Sequence, residues 1–212
     1  MKSIAVIGDI HGCFGQLKKL YEKIAKYTDD VYSVGDLIDR GDNIKEVVQF
    51  CIDNKIKPVM GNHEYMMLGS ISEEIKFLDR ETYYMWMQIG GGMTIRDYCK
   101  GGEETLQRFT EEFKNSGHYD FLRLLPIKTE IETCIITHAG IVTGKPESNV
   151  LYNRGKPSKL SKLQIFGHTP SPNVIYEEGH YINIDTGCIY WGKLSAVVVY
   201  TDATCEILSE EI

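Results

Sequence analysis

Short apolar runs that stop at a glycine punctuate the first third of the chain. Ser3–Ile7 (SIAVI) ends at Gly8, residues 31–34 (VYSV) end at Gly35, and residues 57–60 (KPVM) end at Gly61. Runs of this length, rich in β-branched residues and bounded by glycine, predict buried strands. Between them the spacing changes. Leu17, Leu20, Tyr21 and Ile24 share one helical face within 15–27, and residues 44–52 (IKEVVQFCI) predict a second helix. Strand, helix, strand, helix, strand implies parallel pairing through crossover helices.

The pattern changes in the middle. Residues 64–125 are rich in Met, Glu, Lys and aromatics and read as a mostly helical insert, broken at Gly90-Gly91-Gly92 and at Gly101-Gly102. Strand patterns return after Pro126, in IKTEI (127–131), TCIITHAG (133–140), LQIFGHT (163–169), HYINIDTG (180–187) and KLSAVVVY (193–200). Their close spacing, with turn residues between, predicts antiparallel or mixed pairing. The expectation is one α/β domain over 1–212, with mixed β-sheets flanked by helices and an insert at about 64–125.

Composition narrows the function. The chain has 212 residues, enough for one sizeable core. Its formal net charge of −7 argues against a broad nucleic-acid surface, which needs a basic footprint. The six cysteines are scattered, with neither zinc-knuckle spacing nor a disulfide framework. The first apolar run is too short for a signal peptide, and no run reaches membrane-spanning length. The expectation is a reduced, cytoplasmic protein with no nucleic-acid or membrane partner.

Candidate chemistry sits where the apolar runs stop. Five tips share one design: Gly8-Asp9-Ile10-His11-Gly12, Gly35-Asp36-Leu37-Ile38-Asp39-Arg40-Gly41, Gly61-Asn62-His63-Glu64, Thr137-His138-Ala139-Gly140 and Gly167-His168-Thr169. Sites in α/β proteins form outside the carboxyl ends of strands. The donors are Asp, Asn and His, with no thiolate, a set that suits Mn, Fe or Zn. They are too many for one tetrahedral zinc and enough for two ions sharing a carboxylate. Asp9 and His11, separated by one residue in a glycine-flanked loop, can both turn to one ion.

In this order the motifs GDIHG, GDLIDRG, GNHE, HAG and GHT resemble those of the calcineurin-like metallophosphoesterases, more narrowly the phosphoprotein-phosphatase type. Weaker similarity in LYNR, IGGG and NIDTG extends the likeness over nearly the whole chain. The resemblance implies a β-sandwich of mixed sheets flanked by helices, and roles for the matching positions. Asp9 and His11 would hold a first metal, Asp36 would bridge, and Asn62, His138 and His168 would complete a second. His63 would be the general acid, oriented by Asp39, and Arg40 and Arg154 would clamp phosphoryl oxygens. The implied cofactors are two divalent or trivalent ions, Mn²⁺ in vitro, with Fe or Zn as alternatives. The implied substrate is a phosphorylated protein, at phosphoserine or phosphothreonine, with phosphotyrosine as a further option. Symmetrical diadenosine tetraphosphate hydrolysis, or cleavage of another small phosphoester, is the alternative, because relatives with that activity carry the same tips.

Other residues stay open. Gly90–Gly92 suits a turn between helices or a substrate-side loop, and Asp185 a turn or the edge of the site. Tyr190 falls where relatives carry an aromatic near the phosphate. His118 and His180 match no motif and are expected at the surface. Cys13 has no matched partner, and MWMQ (85–88) with Met66-Met67 reads as core of the insert. An inactive scaffold is disfavoured because every expected catalytic position is filled. A nuclease is disfavoured by the acidic charge.

Overall fold

A computed structural model describes residues 3–71 and 80–211. Residues 72–79 of the expected helical stretch lie outside it. The first sheet has strand order β10-β9-β1-β2-β3, from β1 (Ser3–Ile7), β2 (Val31–Ser33), β3 (Lys57–Pro58), β9 (Leu194–Tyr200) and β10 (Cys205–Glu210). β1, β2 and β3 pair in parallel, while β9 is antiparallel to both β1 and β10. The crossover helices are α1 (Phe14–Ile24), which buries Leu17, Leu20 and Ile24, and α2 (Ile44–Asp53).

The second sheet runs β4-β5-β6-β8-β7, from β4 (Lys128–Glu130), β5 (Cys134–Thr137), β6 (Leu163–Phe166), β7 (Ile175–Glu177) and β8 (Tyr181–Asn183). Its centre, β5-β6-β8, is parallel, and β4 and β7 add antiparallel edges. The two sheets pack face to face. Alternation along β1 decides which side chains meet where. Ile4 and Val6 join Val34, Ile136, Ile165, Ile182 and Val197 in one buried cluster between the sheets. Ala5 and Ile7 turn to the other face and pack with Leu17, Leu20, Val47 and Val48 in a second cluster under the helices. The expected mixed sheets and helical flanks are thus present as a β-sandwich.

Between β3 and β4 lie α3 (Asn62–Ile71), α4 (Arg80–Trp86), a kinked turn (Met87–Gly91), α5 (Gly92–Tyr98), α6 (Leu106–Asn115) and α7 (His118–Arg123). Trp86, Tyr98, Phe109 and Phe113 pack here, with Phe109 and Phe113 stacked at 5.4 Å. A short 3₁₀ turn (Glu147–Leu151) follows β5, and α8 (Cys188–Trp191) follows β8. Among the described residues no helix is long and apolar enough to cross a membrane.

The details depart from the sequence pattern in three places. β3 ends at Pro58, because the amide of Met60 bonds the Pro126 carbonyl instead of a neighbouring strand. The Gly90–Gly92 run, by contrast, is the expected turn between helices: α4 and α5 meet across a kink at Gly90, whose φ of 118° is not helical. β7 and β10 were not expected, since edge strands with exposed faces lack a continuous apolar run. Finally, His118 and His180 are buried, not surface residues. His118 is wedged between the Tyr98 hydroxyl (2.5 Å) and Gln49 Oε1 (3.1 Å). His180 lies against Glu177 Oε1 (2.9 Å) and the Pro157 carbonyl (3.1 Å).

Burial, reinforced by Lys45, pushes the His118 pKa down from 6.5 to about 4. Its unfolded pKa lies higher, so the unfolded chain takes up the proton first. Stability from this group is present above pH 6.5 and is lost as pH falls towards 4. At pH 5 the loss is about 2 kcal/mol. Thermal melts at pH 7.5 and pH 5 should show a larger drop for the wild type than for His118→Gln. Equal drops would assign the acid sensitivity elsewhere.

Candidate metal centre

The tips of β1, β2, β3, β5 and β6 converge at one end of the sandwich. Asp9, His11, Asp36, Asp39, Asn62, His63, His138 and His168 are all buried there. The backbone is forced to bring them in. Seven described non-glycine residues have positive φ, and five belong to these tips: His11 (45°), Asp36 (52°), Asp39 (68°), Arg40 (67°) and His168 (68°). Such conformations cost roughly 1 kcal/mol or more each and persist only where neighbours over-determine them. Here each of those five amides has an acceptor. His11 N–H donates to the Asp36 carbonyl, Asp36 N–H to Glu64, Asp39 N–H to Thr94, His168 N–H to Asp9, and Arg40 N–H to the Gly90 carbonyl. Two glycines permit the close approach. A Cβ on Gly61 would lie 2.2 Å from Asp36 Oδ1, and one on Gly167 would lie 1.9 Å from Asp9 Oδ1.

Asp36 is central. Its Oδ2 lies 3.4 Å from His138 Nε2, 3.5 Å from His11 Nε2 and 3.8 Å from His63 Nε2. Asn62 Oδ1 lies 2.8 Å from His138 Nε2 and 3.0 Å from His168 Nδ1. Two groups of buried donors could each hold an ion: His11, Asp36 and His63; and Asp36, His138 and His168. Asp9 is outside both groups, its carboxylate turned to the His168 amide at 3.1 and 3.2 Å.

The donor chemistry fits cations. His138 Nδ1 donates to the Val34 carbonyl (2.9 Å) and His11 Nδ1 to the Ile38 carbonyl (2.7 Å), so in each neutral ring Nε2 is a bare lone pair. Burial keeps those rings neutral: it lowers the pKa of His138 and of His11, and with His138 beside it lowers His168 to about 3. Asp36 Oδ2, Asn62 Oδ1 and His138 Nε2 therefore meet with lone pairs and no proton among them. In Asp36 burial is outweighed by the four surrounding histidines, His138 foremost, and the pKa is lowered; Asp9 and Asp185 lack such compensation. Burial, with Asp185 and Asp36 nearby, raises Asp9 well above the carboxylate range, and burial raises Asp185 to about 6.

His63 stands apart from the ligand-like rings. Its Nδ1 donates to Asp39 Oδ2 at 2.6 Å, which leaves Nε2 facing the cluster. Burial opposes charge on this ring, but Asp36 and Asp39 outweigh it and raise the pKa. Arg40 reaches in from the rim. Its Nη1 lies 2.5 Å from His11 Nε2, its Nε donates to the Ile89 carbonyl (3.3 Å), and its guanidinium sits 5.7 Å from the Tyr190 ring centre. Arg154 is exposed, and its charge acts on both His168 and Asp185. Asp185 is both a turn and an edge: Oδ1 accepts the Gly187 amide at 2.9 Å, and the carboxylate is close enough to perturb Asp9. The Cys13 thiol faces the His11 carbonyl at 3.9 Å.

Three residues hold the site and were given no role from the sequence. Glu64, fully buried, accepts the backbone amides of Asp36, Leu37, Ile38 and Gly61, stitching the second tip to the third. Its place in the GNHE motif was the available signal. Trp86 and Thr94 both bond the Asp39 carboxylate. In Glu64→Gln an amide NH₂ would face backbone donors. The expected cost is about 1–3 kcal/mol together with a fall in bound metal, read by thermal melting and elemental analysis.

Residues 2–193 match the model of the calcineurin-like phosphoesterase family. Serine/threonine-protein phosphatase 1 of Salmonella typhimurium is 28% identical over 216 residues, covering 92% of this chain and 90% of that protein. The asymmetrical bis(5'-nucleosyl)-tetraphosphatase PrpE of Anoxybacillus flavithermus is 28% identical over 229 residues, covering 91% and 88%. Among solved structures, a putative diadenosine tetraphosphatase superposes with a TM-score of 0.66 at 20% identity, over 98% of this chain and 93% of that one. That likeness speaks for the fold alone. With the family match spanning most of its length and its buried donors gathered at the strand ends, the chain belongs to the calcineurin-like phosphoesterases and is a hydrolytic metallophosphoesterase.

Proposed function

We propose that the chain is a phosphoprotein phosphatase that hydrolyses phosphoserine and phosphothreonine monoesters. The observation that carries this reading is the His63–Asp39 pair, buried and aimed at the cluster. An alkoxide is a strong base and leaves only with a proton, whereas a phosphate leaving group needs little help. A buried imidazole held in one tautomer by a carboxylate is a device for the harder leaving group. The family uses a dinuclear metal centre. In this reading His11 and Asp36 would hold one ion, with Asp9 turning from the His168 amide to join them, and Asp36, Asn62, His138 and His168 would hold the other. Bound there, two ions supply Lewis acidity and a water acidic enough to attack near neutral pH.

The chain's own groups do the rest. Arg40 and Arg154 bind the phosphoryl oxygens, as a planar guanidinium fork does well, and orient phosphorus for in-line attack. Arg40 gives up its contact with His11 Nε2 to do so. As the water oxygen bonds to phosphorus and the ester P–O bond breaks, protonated His63 gives its Nε2 proton to the leaving oxygen; the attacking water sheds one proton to solvent, and a proton from solvent restores His63. Asp39 stabilises the ring throughout. No covalent intermediate on the protein is needed, and no cysteine takes part.

Cleavage of dinucleoside polyphosphates is the second reading. Relatives named for that activity match at the same identity as the named phosphatase, and Tyr65, Tyr152 and Tyr190 are exposed aromatics that bases could stack on. The test strips the metal, restores Mn²⁺, and compares kcat/KM for a phosphothreonine peptide and for diadenosine tetraphosphate. A large preference for the peptide supports the phosphatase; a large preference for the dinucleotide overturns it.

A further inference from the structure

The kinked helical pair α4–α5 touches the site at Asp39 and Arg40. Thr94 Oγ1 accepts the Asp39 amide at 3.1 Å and donates back to Asp39 Oδ1, closing a ring that holds a residue at φ 68°. Trp86 Nε1–H is shared between the two carboxylate oxygens, at 3.1 and 3.0 Å. With His63 on Oδ2, both oxygens of Asp39 are engaged and the carboxylate plane is fixed.

Geometry says this arrangement needs the kink. Trp86 and Thr94 are eight positions apart, which on a straight helix is about 12 Å along the axis. One carboxylate cannot meet both at that separation. The kink at Gly90, φ 118°, folds the path so that they converge. The same turn presents the Ile89 and Gly90 carbonyls to Arg40.

We propose that Trp86 and Thr94 are positioning residues of the reaction: brought together by the kink at Gly90, they lock the Asp39 carboxylate and thereby aim His63 at the leaving group. This rests on His63 being the proton donor, as read above. The competing explanation is that a buried indole N–H and a buried hydroxyl merely need an acceptor, and Asp39 supplies one. The two differ in what they do to the reaction. A loosened proton donor penalises an alcohol leaving group and spares a phenolate; a loosened core penalises both alike.

The test uses the metal-loaded full chain as wild type, Thr94→Val, Trp86→Phe and Thr94→Ser. Each is assayed on a phosphoserine peptide and on a series of aryl phosphates of graded leaving-group pKa. Metal content and melting temperature are measured alongside. Thr94→Val and Trp86→Phe should keep both ions and lower kcat on the peptide about tenfold or more, with under twofold change on p-nitrophenyl phosphate. The slope of log kcat against leaving-group pKa should steepen, and Thr94→Ser, which keeps the hydroxyl, should restore it. In a His63→Asn background neither substitution should alter the slope further. Equal losses on all substrates, or an unchanged slope, would overturn the proposal. If His63→Asn itself leaves the slope unchanged, the proton-donor reading has failed instead. If His63→Asn steepens it and the Trp86 and Thr94 variants do not, only the positioning role has failed. Should Trp86→Phe not fold, Thr94→Val against Thr94→Ser decides the matter.

Discussion

Asp36→Asn should leave a folded protein that binds neither ion tightly and turns over no phosphoester above background. Three imidazole nitrogens lie within 3.8 Å of Asp36 Oδ2, and the other oxygen accepts the His63 amide at 3.2 Å. The residue is thus shared by both donor groups. Asparagine keeps the shape but removes the negative charge, and it brings at best one acceptor oxygen to a place that uses two. Losing one outer ligand would weaken one ion; losing the shared carboxylate weakens both. Elemental analysis of the purified variant, with kcat at saturating Mn²⁺, reads the outcome. Two ions retained at a normal rate would remove Asp36 from the bridging role.

His63→Asn should do the opposite: keep the ions and lose the rate. The ring sits beside Asn62 in sequence, yet its Nδ1 is committed to Asp39, so it can be a proton donor without being a ligand. General acid catalysis is typically worth about 10²–10⁴-fold, and a loss of that size is expected on an alkyl monoester. The loss should shrink on p-nitrophenyl phosphate, whose leaving group needs no proton. A fall in metal content instead would make His63 a ligand, as one of the two donor groups allows.

The strand ends were legible because two signals coincide there. An apolar run that stops at glycine says where the backbone turns, and Asp, Asn or His at the turn says what it presents. What was illegible depended on distance along the chain. Trp86 and Thr94 lie 47 and 55 residues from Asp39, and an indole within an apolar stretch reads as core until its N–H is seen to have a carboxylate partner. Glu64 looked like the end of a motif; only the folded chain reveals four amides around it. His118 and His180 lack motif partners, which says nothing about burial. The Gly90–Gly92 run shows glycine's ambiguity: the residue that ends helices elsewhere here allows one to be re-aimed. β7 and β10, lying at sheet edges, had no apolar run to announce them.

The sandwich has a seam, and the candidate metal site lies across it. Asp9, His11, Asp36 and Asn62 follow strands of the first sheet, while His138 and His168 follow strands of the second. Ions shared by these residues would act as a clasp between two layers otherwise joined by aliphatic contact and by hydrogen bonds such as those from His138 to the Val34 carbonyl and from the His168 amide to Asp9. Cohesion of the layers and occupancy of the clasp would then be one equilibrium. Metal at a hundredfold excess over its Kd adds about 2.7 kcal/mol to the folded state. Chelation should therefore loosen the aliphatic interface around Val34, Ile136 and Ile165 first, with the helical layer on the far side of the first sheet exchanging its amides last.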